Sequence, residues 1–196
     1  MPIERKSVTR ELRLLLQGTD GLAGEGLAAA LQRVAEAATT ILRAQGAGVM
    51  LADEHEVLRC AAASGRPGRG LATAQERLGA GPALDSFATD LPVASRDVTT
   101  DGRWPDLRHL VDRAAVRAVL SAPVTLPGDG PIGALNLHSA KARDWDVAEI
   151  AATVAYAGVV ASLISMALEA RLRGVLLDKL LDALRAVTDR PEVEDG

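Results

Sequence analysis

The stretch Val116–Ser139, VRAVLSAPVTLPGDGPIGALNLHS, decides the fold. Two apolar runs, Val119 to Leu126 and Ile132 to His138, are separated by Pro127, Gly128, Asp129 and Gly130, residue types that make turns and stop regular structure. The pattern predicts a β-hairpin. Upstream, DLRHLVDRAA reads as a short helix rich in small residues. Downstream, Asp146 and Glu149 stand three apart as in a capping box, and Trp145 and Ile150 hold the positions of a hydrophobic staple, so a helix should begin there. These residues are structural first.

Working outward, Val8, Leu12 and Leu15 form one face of an amphipathic helix from Ser7, a candidate N-cap, to about Gln17. GTDGLAGEG breaks it. A second helix carries Leu27, Leu31, Val34, Ala38 and Ile41 as a stripe that should lie on a sheet. From Gly46 the period changes to that of strands, with GAGVMLA and VLRCAAA flanking a polar turn at Asp53 to Glu56. Residues 65–115 are punctuated by glycine and proline, with short helices at LATAQERL and PALDSFAT and a strand at PVASRDV. An irregular segment beside a rigid sheet is where binding residues concentrate.

Composition bounds the function. The chain has 196 residues, 48% of them hydrophobic, enough for one domain with helical extensions. A net charge of -4 and a pI near 5.4 disfavour direct nucleic-acid binding, which needs a basic face. Cys60 is the only cysteine, so no internal disulfide forms, and MPIERKSVTRELR has no signal-peptide core. Cytoplasmic residence is the default expectation. Ile150 to Leu168 has no charged residue and meets the length of a membrane span. Its Ala, Gly and Ser content, Thr153 and Tyr156, and basic residues at both ends favour instead a helix buried on two sides, with no membrane partner. Beyond Glu169, Leu177, Leu180, Leu184 and Val187 repeat at three, four and three, flanked by Leu176 and Leu181. With Leu12 and Leu15 they could build a four-helix bundle across a homodimer.

Taken in order, GAGVMLADE, VLRCAAASG, GPALDSFATDLPV, DVTTDGRWPDL, VRAVLSAPV and IGALNLHSAKARDWDVAE resemble a GAF domain over about residues 27–168. The resemblance implies an α+β fold: an antiparallel sheet of five to six strands with helices on its back, a ligand pocket on its front and long terminal helices. Residues 1–26 would be an N-terminal helix and linker, and 169–196 a helical extension with an acidic tail. More narrowly, the chain is similar to GAF domains that precede an RNA-binding antitermination domain of the ANTAR type. On that likeness, an output has been lost or is supplied by a separate protein.

The resemblance also tests individual chemistries. The histidine of haem-sensing members matches Arg113 here, which cannot ligate haem, although His109 lies one helical turn earlier. Cys60 stands alone where bilin attachment needs a pocket cysteine and methionine-sulfoxide reduction several; it reads as a small buried hydrophobe. The NKFDE pattern of cyclic-nucleotide binders is absent. No cofactor is evident. His55, His109 and His138 lack a G-x-S-x-G partner, LPGDGPIG lacks the P-loop Lys-Ser/Thr, and Asp97, Asp101 and Asp106 lack the glycine and glutamate of a calcium loop. No metal site is expected.

The expected function is therefore a non-enzymatic sensory or regulatory domain that binds an unidentified small molecule and homodimerises through its terminal helices. A ligand-free interaction module is the alternative, and a small-molecule enzyme the third reading. Trp104 in DGRWPDL either covers a ligand or plugs an empty cavity. Arg103, Asp97, Leu84, Phe87 and Leu107 complete the expected pocket. Leu12, Leu15, Leu177, Leu180 and Leu184 form the expected dimer interface.

Overall fold

A computed structural model of the chain describes residues 5–17, 26–111 and 115–188. The quoted hairpin forms as strands β4 (Ala118–Leu126) and β5 (Gly130–Ser139). Gly128 and Gly130 take φ of 88° and 77° in the turn, a left-handed conformation that costs glycine little. The first hairpin is β1 (Gly46–Ala52) and β2 (Leu58–Ala63). Its turn is tied by Asp53, whose Oδ1 accepts from the backbone N–H of His55 at 2.9 Å and of Val57 at 3.0 Å. With β3 (Val93–Ser95) the sheet has five antiparallel strands in the order β2-β1-β5-β4-β3. The last strand in sequence thus sits in the middle.

Helices cover both faces. Behind the sheet lie α1 (Arg5–Gln17), α2 (Leu27–Ile41) and α6 (Val147–Thr188); in front lie α3 (Gly65–Leu78) and α4 (Pro82–Thr89), with the single turn α5 (Arg108–Val111) beside α3. The rear core joins Leu12 and Leu15, Leu27 and Leu31, Val49, Leu135, and Val160 and Ile164. The start of α6 follows the expected chemistry: the Asp146 N–H donates to Glu149 Oε2 at 3.0 Å, and the Glu149 N–H to Asp146 Oδ1 at 2.7 Å.

Five expectations change. Leu12 and Leu15 are 1% and 2% exposed within their own chain, so they have no surface to give a second copy. The Arg171 guanidinium fastens this arrangement by donating to Glu11 at 2.6 Å, so the α1 stripe is used up against α2 and α6. Ile41, placed on the buried stripe of α2, is 63% exposed because it ends the helix, while Ala30 and Ala35 fill the face instead. α3 begins at Gly65, earlier than LATAQERL, because Pro67 is tolerated in a first turn and Gly68 lets the helix approach β1. The uncharged part of α6 is buried on one face only: Ala157, Val160 and Ile164 pack on the sheet, whereas Val154, Val159 and Met166 are exposed. By length and composition α6 could also cross a membrane. α1 starts two residues before Ser7, and the linker 18–25, Arg113 and the tail 189–196 lie outside the described residues.

Gly133 in β5 meets β1 where no side chain fits. A Cβ there would lie 2.2 Å from the Met50 carbonyl oxygen and 3.1 Å from the Leu51 Cα, both backbone atoms. Gly133→Ala should therefore cost about 3 kcal/mol of stability by forcing the strands apart. Urea unfolding monitored by circular dichroism checks this; a midpoint equal to that of the parent would show that the sheet absorbs the methyl without cost.

Candidate functional site

The front of the sheet is built around Trp104. Only 4% exposed, it packs with Leu71 and Ala74 of α3, Leu107, Val111, and Val116 and Val119 at the start of β4. Its indole N–H donates to Asp85 Oδ2 of α4 at 3.0 Å. A buried indole needs such an acceptor. On the far side of Asp85 opens a cleft of about 390 Å³ between β2, the end of α3 and α4. Val57, Leu58, Leu84 and Phe87 give it apolar walls, and Glu56, Glu76 and Asp85 give it acidic groups.

The six expected pocket residues thus separate into three groups. Trp104 and Leu107 share one buried cluster. Leu84 and Phe87 line the cleft, with their inner sides against Met50 and Ala83. Arg103 and Asp97 are spent on holding the loop. The Arg103 guanidinium donates to both oxygens of Asp101, at 3.0 and 2.7 Å, and to the Ala94 carbonyl at 2.6 Å, while lying 4.2 Å from the Trp104 ring centre. Asp101 is held down to about 2 by that guanidinium first, with Ser95 Oγ and the Arg103 N–H also donating to it. Asp97 accepts from Arg117 through both carboxylate oxygens and from the Thr99 hydroxyl and N–H; the guanidinium holds it well below the usual carboxylate range.

Gln75, Ser121 and Asn136 of this face were not singled out from sequence. Gln75 of α3, fully buried, accepts from the Ala83 N–H at 2.8 Å and so caps the first turn of α4, whose own N-cap, Gly81, has no side chain. Ser121 of β4 donates to Asn136 Oδ1 of β5 at 2.5 Å, and the two are register partners. His138, two residues on and 3% exposed, lies over Gly46 and Gly68, and its buried Nε2 has no hydrogen-bond partner among the described residues. Burial lowers its pKa to about 4. The signal was the i, i+2 spacing of Asn136 and His138 in an otherwise apolar strand. Cys60 is half-buried on β2, and burial pushes its thiol up. Among the described residues no group of three or more His, Cys, Asp or Glu could hold a metal ion.

A sheet in the order β2-β1-β5-β4-β3 with helices on both faces is accompanied by a family-level match. The model of the GAF domain matches residues 26–168. The chain belongs to the GAF domain family. Such domains are in general sensory or regulatory modules that bind ligands or partners. No curated protein matches the chain in sequence. Among solved structures, this GAF domain is similar to a domain assigned to a two-component sensor histidine kinase of Sinorhizobium meliloti 1021, with a TM-score of 0.60, 19% identity, and coverage of 74% of this chain and 94% of that one. The GAF domain of a phosphoenolpyruvate-protein phosphotransferase from Coxiella burnetii matches with a TM-score of 0.57 at 18% identity, covering 88% and 97%. The type II free methionine-R-sulfoxide reductase of Thermoplasma acidophilum matches at 0.54 and 16%, covering 70% and 92%. Identities this low establish a shared fold and no shared ligand.

Two outcomes follow for this GAF domain. Asp85→Ala leaves the Trp104 N–H buried without an acceptor, which should cost about 1–3 kcal/mol; in a Trp145→Phe background it should also change the Trp104 emission, and unchanged stability and emission would show that Asp85 does not hold the indole. His138 titrates at about 4 folded and near 6.5 unfolded, so its contribution is intact above pH 6.5 and is lost as the pH falls toward 4. The loss should approach about 3 kcal/mol. Urea titrations between pH 4 and 7 measure it, and His138→Leu should flatten the slope.

Proposed function

We propose that this GAF domain is a non-enzymatic sensory module that pairs with a second copy along α6 and couples occupancy of the α4 cleft to the geometry of that helix. One observation carries the reading. α6 is both a wall of the rear core and a bare apolar stripe: Val160 and Ile164 are buried against the sheet, while Leu172, Leu176, Leu177 and Leu180 are exposed, Leu176 by 66% and Leu180 by 57%. Beyond the rear core these leucines have no covering surface among the described residues. Covering one such side chain is worth about 1.5–3 kcal/mol, so a second α6 lying along the first is strongly favoured. Leu184, expected in the same interface, lies outside the residues whose side chains are described.

The cleft supports the sensory half. It is apolar with a few convergent polar groups, and Asp85 links it through one hydrogen bond to the buried indole. A ligand that engages Asp85 competes for the acceptor that holds Trp104. Because Trp104 packs on β4, and β4 packs on α6, an altered indole position reaches the helix through contiguous side chains. The proposed ligand is a small molecule with an apolar body. Signal output passes to a separate partner, with no nucleic acid or membrane bound directly.

A second reading, a ligand-free interaction module, is favoured by the tight burial of Trp104, which plugs the front layer with the chain's own side chain. Sedimentation velocity and native mass spectrometry separate the readings. The expected species is a dimer, with added small-molecule mass released on denaturation, and Leu177→Glu/Leu180→Glu should be monomeric at tens of micromolar. A parent that sediments as a monomer would overturn the pairing; a dimer of bare polypeptide mass would favour the interaction module.

A further inference from the structure

α3 faces two clefts with opposite charge. Glu76 turns toward the α4 cleft and pairs with Arg59 at 2.5 Å. On its other side, α3 and α5 enclose a larger cleft of about 520 Å³ lined by Arg66, Arg69, Thr73, Arg77 and His109 over Ala74 and Leu110. Among the described residues no carboxylate lines it. Several arginines elsewhere are paired: Arg13 with Glu54, Arg117 with Asp97, Arg143 with Glu149 and Arg171 with Glu11. Arg66, Arg69 and Arg77 have no ion pair among the described residues, and all three are exposed.

The spacing of these residues concentrates positive charge. Arg66, Arg69, Thr73 and Arg77 follow one another at three, four and four, so they run along one face of α3. Like charges at this spacing repel and destabilise the helix by a few tenths of a kcal/mol per pair, a cost that a bound anion removes. Arg66 and Arg69 lie within one turn of each other, and Arg77 is roughly 12 Å further along the axis. At the rim His109 Nε2 accepts from Arg108 Nε at 3.2 Å, which brings another guanidinium to the same end.

We propose that the cleft between α3 and α5 is a binding site for a phosphorylated small molecule with more than one anionic group. Guanidinium forks match phosphate oxygens two at a time, the Thr73 hydroxyl adds a further donor, and Ala74 and Leu110 offer an apolar floor to an organic body. The volume falls in the range of small-molecule sites. A long polyanion does not fit the charge distribution, because a chain of net charge -4 repels it outside this cleft. The site is separate from the α4 cleft and does not depend on pairing through α6.

Isothermal titration of the purified chain with inorganic pyrophosphate, in a chloride buffer of constant ionic strength, tests the site. Saturable binding is expected, weakened about tenfold or more in Arg69→Gln/Arg77→Gln and unchanged in Arg96→Gln, whose arginine pairs with Asp144 elsewhere. Both substitutions replace exposed side chains, and circular dichroism confirms that each variant is folded. Absence of saturable binding by the parent, or equal weakening in Arg96→Gln, overturns the site. Binding of an oligoglutamate peptide without binding of pyrophosphate overturns it in favour of an acidic protein partner.

Discussion

Strand β5 is buried on both faces from Ile132 to Ser139, and the remaining elements are arranged around that requirement. A strand dry on both sides needs pairing along both edges and a helical layer above and below. β1 and β4 supply the edges, α2 and α6 the rear layer, and α3 and α4 the front. The constraint reaches individual residues. Gly133 admits the backbone of β1, and Gly46 leaves room for the His138 ring, which a Cβ would meet at 2.3 Å. Polar side chains on β5 have to be satisfied inside the protein. Asn136 achieves this with Ser121, whereas His138 remains neutral and buried, its Nε2 without a partner among the described residues.

The front layer shows how similar residue types come to serve different ends. Between Arg96 and Leu107, two aspartates are taken up by arginines: Asp97 by Arg117, and Asp101 by Arg103, with the Ser95 hydroxyl also donating to Asp101. These pairs hold the loop in the shape that buries Trp104. They resemble ligand-binding groups in sequence and act as a frame in space. The groups left for a ligand lie on the helices: Asp85 on α4, and the three arginines on the opposite flank of α3. One helix therefore separates an apolar, acidic cleft from a basic one.

α6 packs on β4 and β5 from behind, opposite this front layer. Its inner face completes the rear core, and its outer face continues as leucines past the last residue that packs on the domain. The Arg171–Glu11 ion pair ties α6 to α1 beside that packing. The proposed coupling uses this form: the hydrogen-bonded backbone of a helix is stiff along its length while its exposed flank is able to change neighbours.

Much of the fold was legible in the chain itself. The two hairpins, the capping box at Asp146 and Glu149, α4 at PALDSFAT and the apolar face of α1 are local features, decided by turn residues, period and caps within a few positions of each other. The family match spans residues 26–168. What a residue touches across the molecule was not legible. Leu12 and Leu15 carried a stripe that could equally face a second copy or the chain's own α6, and only the close approach of α1 to α6 decided it. Arg103 and Asp97 presented charges whose partners lie on the same loop or across the sheet, at Asp101 and Arg117. Gln75 gave no local sign that it would cap a helix eight residues on. Local patterning selects secondary structure because its energies act between neighbours in sequence. The commitment of each polar side chain to a partner or a ligand depends on distances between elements, and those arise only when β5 is enclosed.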